Sequence, residues 1–201
     1  MTKTVDYHYS LMSPWSYLGG PRLDRIAAAA GATVNFKPIN LGKVFPATGG
    51  LPLAKRAPER QAYRMAELGR WRDHLGMLLN LEPRHFPAPE ALAACMVIAA
   101  RRAGADAGRL TNAIMRAVWT EERNIAEAET LRAIAGENGL DGDAMLAEAE
   151  TQAVADEYAA DTDEAIARGV FGAPTYIYEG ELYWGQDRLD FLARALANDG
   201  A

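Results

Sequence analysis

The chain has 201 residues, of which 49% are hydrophobic and 24% charged, and its formal net charge at pH 7 is -6. This composition is ordinary for a soluble globular protein with one sizeable core. The negative charge argues against a general nucleic-acid-binding protein, which normally carries a basic patch, and no apolar run approaches the roughly 20 residues that cross a bilayer.

The few cysteines and histidines exclude two further kinds of site. The single cysteine, Cys95, cannot form an internal disulfide, and its apolar surroundings predict a buried thiol. His8, His74 and His85 are scattered without metal-ligand spacing, so we expect no metal site. The start of the chain shows no apolar signal segment, and a reducing cytoplasm fits the cysteine content best.

The first forty residues predict a strand–helix–strand unit. Residues 5–11 alternate and are rich in aromatic side chains, as a strand with two different faces should be. Ser13 is placed to cap the helix that follows, Pro14 suits its first position, and Gly31 ends it. Residues 33–39 alternate again, which predicts a second strand parallel to the first with a right-handed crossover.

The middle of the chain predicts a set of helices. Glycine and proline residues from residue 40 onward mark a long irregular connection, and another break falls at 83–89. Helical patterns cover residues 60–75, 90–103, 106–120, 127–137 and 143–168. These Ala-rich segments, with Leu, Met and Trp on one face, favour a compact helical subdomain.

Strand patterns return near the end of the chain. Residues 174–179 and 182–184, joined by a turn at Gly180, predict a hairpin, and Asp187 is expected to cap a last helix. The complete order predicts an α/β protein with a thioredoxin-like fold interrupted by a helical insertion domain. The expected division is 1–40 and 166–201 for the thioredoxin-like domain and 41–165 for the insertion.

The junction Ser13-Pro14-Trp15-Ser16 is the candidate site of chemistry. A helix N-terminus presents free N–H groups and a partial positive charge, so it favours an anion such as a thiolate, although Ser-Pro at this position also occurs as a plain helix start. Both ends of the motif are serine, which rules out dithiol–disulfide exchange here. No Gly-x-Ser-x-Gly motif surrounds Ser13, which disfavours a covalent serine nucleophile.

Three stretches together resemble the 2-hydroxychromene-2-carboxylate isomerase family, which is related to kappa-class glutathione transferases and DsbA-like disulfide oxidoreductases. They are the motif at 13–16, Gly-Val-Phe-Gly-Ala-Pro-Thr-Tyr at 169–176 and Tyr-Trp-Gly-Gln-Asp-Arg-Leu at 183–189. The resemblance implies that glutathione is the cofactor and that Ser13 stabilises its thiolate. It also implies a cis bond before Pro174, with the backbone of Ala173 pairing with the cysteinyl part of glutathione. Gln186 and Asp187 would hold the γ-glutamyl end.

The segment from 40 to 60 matches the family less well. Relatives often place an asparagine and a lysine here, whereas this chain has no asparagine between Ala47 and Arg60. Lys55 or Arg60 could meet a carboxylate of glutathione or of the substrate, although basic residues before a helix are more often solvated surface. Four aromatic residues are candidate pocket walls: Trp15, Phe45, Tyr63 and Trp119.

The resemblance implies a glutathione-dependent cis–trans isomerase that acts on a small aromatic carboxylate by reversible thiolate addition to an enone. The relatives are commonly homodimers, so a homodimer is expected. Two alternatives stay open: a kappa-like glutathione transferase, in which the thiol stays attached to its substrate, and a noncatalytic peptide-binding module.

Overall fold

The computed structural model describes residues 2–198 of the chain. They form a mixed sheet of four strands with helices around it. Its strands are β1 (Thr4–Tyr9), β2 (Thr33–Pro38), β3 (Thr175–Tyr178) and β4 (Glu181–Trp184), in the order β2-β1-β3-β4. The inner strand β1 is parallel to β2 and antiparallel to β3, so segments from the two ends of the chain meet at its sides. Residue 1 and residues 199–201, which belong to the predicted thioredoxin-like domain, lie outside the described residues.

The helices follow the predicted order with one addition and one division. They are α1 (Pro14–Ala30), α2 (Leu41–Thr48), α3 (Pro58–Leu75), α4 (Ala91–Arg102), α5 (Ala107–Trp119), α6 (Ala128–Glu137), α7 (Gly142–Ala149), α8 (Gln152–Ala167) and α9 (Leu189–Asn198). Seven of them lie between β2 and β3, so the fold is the predicted α/β thioredoxin-like fold interrupted by helices.

The sheet carries the main core on the face that supports α1. Tyr7 stacks on Tyr9 at 4.4 Å and on Tyr176 at 5.1 Å between ring centroids, and all three rings are buried. The Tyr9 hydroxyl lies 2.7 Å from the Thr111 hydroxyl of α5, and the Tyr7 hydroxyl donates to the carbonyl of Ser16 at 3.5 Å. One apolar cluster therefore includes residues of the sheet, of α1 and of α3 to α8, and it fixes the position of the first turn of α1. Val44 of α2 belongs to a second, smaller cluster with Ile39 and Ala165.

Two predictions about the inserted segment were wrong. Residues 41–48 form α2 where an irregular connection was expected, because the Asn40 side chain accepts from Gly42 N–H at 2.9 Å and Val44 is fully buried. The expected single helix over 143–168 is two helices, because Thr151 caps α8 and its hydroxyl accepts from the Val154 N–H at 3.4 Å. The sequence analysis located helix ends by proline and glycine. It missed these two helix starts because they are marked only by the cap residues Asn40 and Thr151.

The prediction that Asp187 caps the last helix was also wrong. Gly185 has φ +103°, a conformation that L side chains rarely adopt, and it opens a 3-10 turn over Gln186–Arg188. Helix α9 begins only after that turn, and no side-chain cap bond is present at the turn itself. The Asp187 carboxylate instead accepts from the neighbouring Arg188 at 2.9 Å.

Gly19 permits the close approach of α1 to β3 and to the 186–188 turn. A Cβ at this position would lie 2.7 Å from the Tyr176 hydroxyl and 3.1 Å from the Gln186 Cβ, and both side chains are buried. We expect Gly19→Ala to lower the free energy of unfolding by about 1–2 kcal/mol, because overpacking outweighs the gain in helix propensity. Urea unfolding measures the change. Gly69→Ala in α3, where a Cβ meets no atom within 4 Å, is the matched control and should stabilise by about 0.5–1 kcal/mol; equal behaviour of the two variants would contradict the packing argument.

No helix within the described residues is long and apolar enough to span a membrane.

Candidate active site

Ser13 lies where β1 has ended and α1 begins, and its side chain forms a hydrogen bond with another predicted site residue, Ala173. Its backbone is extended, with φ −87° and ψ 118°, and its hydroxyl accepts from the Ser16 N–H at 3.2 Å, as a helix cap does. The same hydroxyl donates to the carbonyl of Ala173 at 3.4 Å. The structure therefore confirms the predicted cap and brings the start of α1 against the segment before β3, 160 residues away along the chain.

The Ala173–Pro174 bond is cis, as the resemblance implied. Pro174 is buried, and its carbonyl accepts from the Gly185 N–H at 2.9 Å. This bond ties the proline to the residue that precedes the 186–188 turn. Two hydrogen bonds therefore connect the site: one from Ser13 to Ala173, and one from Gly185 to Pro174.

Gln186 and Asp187 differ in whether their side-chain oxygens are available to a ligand. Gln186 is buried, and its side-chain and backbone oxygens both accept from Arg22 Nη1, at 2.9 and 3.1 Å. Asp187 is exposed and pairs only with the neighbouring Arg188 among the described residues. Since a charge pair on the surface is weak and easily rearranged, the Asp187 carboxylate is the more available of the two groups.

Glu90 is a site residue that the sequence analysis missed. Its carboxylate crosses from the start of α4 to the loop before Ser13, where it accepts from the Ser10 hydroxyl at 2.8 and 3.0 Å and from the Met12 N–H at 3.1 Å. The Ser10 carbonyl in turn accepts from the Ser13 N–H at 3.0 Å. Glu90 therefore holds the loop that sets the position of Ser13.

Burial raises the pKa of the Glu90 carboxyl, and the hydrogen bonds from Ser10, Met12 and Leu11 oppose that rise. The side chain makes no capping bond to its own helix. A glutamate at a helix cap position is an unusual choice, because shorter side chains cap better. A glutamate directly before the helix pattern of α4 was therefore the sequence feature that could have indicated a contact of this side chain with another part of the chain.

The candidate basic residues lie on the surface. Lys55 and Arg60 are both exposed, and neither forms an ion pair with another of the described residues. No contact joins either of them to Ser13 in the described part of the chain, so their assignment to a carboxylate stays a prediction.

The four candidate wall residues occupy different environments. Trp15 is half-buried against the main core, and Trp119 is 1% exposed and packs against Phe86 at 5.2 Å. Phe45 is half-buried beneath the guanidinium of Arg56. Tyr63 is 61% exposed on α3, so it faces solvent.

An aromatic pair missed by the sequence analysis borders the Ala173 segment. Phe171 and Trp184 pack at 4.7 Å between centroids, and 40% and 50% of their respective surfaces are exposed. A Cβ on Gly172 would lie 2.6 Å from the indole nitrogen of Trp184, so the loop before Ala173 lies directly against this ring. The pair provides an apolar surface at the edge of the candidate site.

Ser13 lines neither of two cavities on the described part of the chain. The larger, about 570 Å³, lies between α1 and α9 and is lined by Lys3, Arg22, Arg25 and Asp190 together with apolar residues. The smaller, about 410 Å³, lies between α3 and the 81–86 segment. Its lining residues are Leu53, Gln61, Arg64, Met65, Leu81, Glu82, Pro83 and Phe86.

Cys95 is buried as predicted, and burial raises the pKa of its thiol, which makes it a poor nucleophile. Within residues 2–198, no group of three or more His, Cys, Asp or Glu side chains is arranged to hold a metal ion.

Comparisons with known proteins give one consistent family. A family model described as a DSBA-like thioredoxin domain matches residues 4–197. The chain is 31% identical to the 2-hydroxychromene-2-carboxylate isomerase of Sphingobium xenophagum over 96% of this chain and 97% of that protein. It is 33% identical to the protein of the same name from Pseudomonas putida, over 96% and 93% of the two chains. A solved structure of 2-hydroxychromene-2-carboxylate isomerase matches with a TM-score of 0.83 at 29% identity, covering 97% of this chain and 95% of that one.

A more distant similarity links the chain to human glutathione S-transferase kappa 1, with 23% identity over 98% of this chain and 92% of that protein.

Proposed function

Since the chain belongs to the 2-hydroxychromene-2-carboxylate isomerase family of DSBA-like thioredoxin-domain proteins, we propose that it is an isomerase of a small aromatic 2-oxo acid that uses glutathione as a recycled thiol. The observation that carries the proposal is the Ser13 hydroxyl at the start of a 17-residue helix, 3.4 Å from the carbonyl of Ala173. We also propose that the protein is cytoplasmic and forms a homodimer.

The residues around Ser13 fit a thiol. A hydrogen bond of 3.4 Å is long and therefore weak, so the Ser13 hydroxyl can turn its proton from the Ala173 carbonyl to a sulfur at little cost. The helix N-terminus favours a negative charge at the same place. The Ala173 backbone, next to the serine, offers strand-like pairing to a peptide backbone.

Bound glutathione would supply a nucleophilic thiolate that adds reversibly to the enone and leaves it again, so that the thiol is returned. Ser13 donates a hydrogen bond to the sulfur and lowers the pKa of the thiol, which is otherwise about 8.5. Asp187 accepts from the ammonium at the γ-glutamyl end, and Gln186 holds the turn in place through its contacts with Arg22. Glu90 keeps the loop before Ser13 in position.

The direct test is an ultraviolet difference titration of glutathione bound to the protein and to Ser13→Ala. We expect thiolate absorbance near neutral pH in the wild type, and a rise of about one pH unit in the pKa of the bound thiol in the variant. A hydrogen bond to a charged group is worth about 1.5 kcal/mol or more, and one unit corresponds to about 1.4 kcal/mol. Turnover should fall with the thiolate fraction.

Ser16→Ala is the matched control, because the Ser16 hydroxyl is buried and has no hydrogen-bond partner among residues 2–198. It should leave the pKa of the bound thiol unchanged. Loss of activity in Ser13→Ala without a change in that pKa would refute the thiolate role. Peptide binding that is insensitive to Ser13→Ala would instead favour a noncatalytic binding module.

Product analysis separates the isomerase from a kappa-like transferase. An isomerase returns the thiol and leaves the glutathione concentration constant, whereas a transferase consumes one thiol per turnover as a thioether. The identities of 31% and 33% to the isomerases, against 23% to the kappa transferase, support the isomerase.

A further inference from the structure

The guanidinium of Arg64 on α3 is half-buried without a carboxylate or carbonyl acceptor among residues 2–198. Within these residues its one hydrogen bond is to the Met65 sulfur, at 3.7 Å, and a thioether sulfur is a weak acceptor. By contrast, the comparably placed Arg101 pairs with Glu157 at 2.6 Å and with Asp161 at 2.7 Å. Since a permanently charged group with five N–H donors is normally paired when it is withdrawn from water, Arg64 has a vacant anion-binding capacity.

The surroundings of Arg64 form a concave site for an apolar group. The guanidinium lies over the Phe86 ring, 5.7 Å from its centroid, at the cavity of about 410 Å³ between α3 and the 81–86 segment. Phe86 packs in turn on the fully buried Trp119, which holds that ring in a defined position. The other apolar lining residues are Leu53, Met65, Leu81 and Pro83.

The charges near the cavity favour an anion. Burial lowers the pKa of Arg64, and the positive charge of Arg56 lowers it further, so the two guanidinium groups repel each other. Glu82 lies at the same cavity but is exposed and forms no ion pair with Arg64. A carboxylate brought to Arg64 would relieve the repulsion between the two guanidinium groups and could form the bidentate pair that arginine favours.

We propose that this cavity, the Arg64 pocket, binds a small aromatic carboxylate, with the carboxylate on Arg64 and the aromatic ring against Phe86, Met65 and Leu81. The proposal rests on the proposed function in one respect: the ligand, a small aromatic carboxylate, is of the substrate class proposed there. The two sequence-predicted candidates, Lys55 and Arg60, are exposed, and ion pairs to exposed groups contribute little.

The test is isothermal titration of the glutathione-free protein with trans-cinnamate and with its neutral amide, cinnamamide. We expect the wild type to prefer the carboxylate and Arg64→Gln to weaken cinnamate binding about tenfold while cinnamamide binding is unchanged. Arg64→Lys keeps the charge but loses the bidentate geometry, so its cinnamate affinity should lie between the two. Arg70→Gln, on the exposed side of the same helix, is the matched control and should bind cinnamate as the wild type does.

Several outcomes would overturn the Arg64 pocket. The proposal is contradicted if the wild type binds no cinnamate, or if a folded Arg64→Gln protein binds it with unchanged affinity. It is also contradicted if the Arg64→Gln protein loses as much affinity for cinnamamide as for cinnamate. A larger loss in Arg60→Gln or Lys55→Gln would assign the carboxylate to the surface residues instead. Because no glutathione is present, failure here leaves the Ser13 titration as a separate test of the thiol chemistry, and Arg64→Gln should retain the wild-type pKa of the bound glutathione thiol.

Discussion

Glu90→Ala is expected to lower the free energy of unfolding by about 2 kcal/mol and to reduce the proposed thiol activation by Ser13. The carboxylate accepts from the Ser10 hydroxyl and the Met12 N–H. Removing it leaves the buried Ser10 hydroxyl without its acceptor, at about 1–3 kcal/mol, whereas the Met12 N–H keeps a bond to the Ser10 hydroxyl oxygen at 3.2 Å. Since Ser10 also accepts from the Ser13 N–H, the disturbance reaches the first turn of α1.

Two further variants separate the contribution of this carboxylate from a general effect of altering a helix start. Glu90→Gln keeps an acceptor oxygen and nearly the same shape, so it should cost less than Glu90→Ala. Glu127 also stands at a helix cap position, before α6, but it is exposed; Glu127→Ala should cost less than about 1 kcal/mol. Urea unfolding and the pKa of bound glutathione are the two measurements. A Glu90→Ala protein as stable as Glu127→Ala would show that the loop is held by other contacts.

The Glu90 contact also shows what the sequence could and could not predict. Local patterns correctly predicted the Ser13 cap, Pro14 at the first helical position and the strands on both sides, because these depend on neighbouring residues. The bond between Ser10 and Glu90 spans 80 positions. No local pattern encodes which distant carboxylate reaches a loop, so this partner required the structure.

The same limit applies to the rest of the candidate site. The resemblance correctly indicated the cis bond before Pro174, because a family motif carries long-range information that periodicity does not. It did not reveal that Arg22 engages Gln186, or that Arg64 rather than an exposed lysine lies beside an apolar cavity. Half-burial of an arginine depends on packing between α3 and the 81–86 segment, and Arg64 has no distinguishing neighbour in the sequence.

His8 is expected to make the fold sensitive to mild acid. Its side chain is fully buried on β1, and neither ring nitrogen has a hydrogen-bond partner among residues 2–198. Burial, and to a lesser extent the positive charge of Lys37 on β2, lower the pKa of His8 to about 4. Arg168 acts in the same direction, while the carboxylates of Glu164 and Asp6 oppose the change.

The direction of the pH effect follows from the two states of the chain. The unfolded chain takes up a proton on this histidine near pH 6.5, whereas the folded protein does so only near pH 4, so protons favour unfolding between these values. The contribution of His8 to stability is therefore complete above about pH 6.5 and is lost as the pH falls towards about 4. The loss over the whole interval amounts to about 3 kcal/mol.

Urea unfolding of the wild type and of His8→Phe at about pH 7.5 and about pH 5 measures this contribution. The wild type should lose about 2 kcal/mol more than the variant between the two pH values, because phenylalanine fills a similar volume and does not titrate. The lowered pKa values of Asp6 and Glu164 act in both proteins and largely cancel in the difference. His74→Phe, at an exposed position on α3, should keep the wild-type pH dependence. An equal loss in His8→Phe would mean that the carboxylates, and not this buried imidazole, govern the response of the fold to acid.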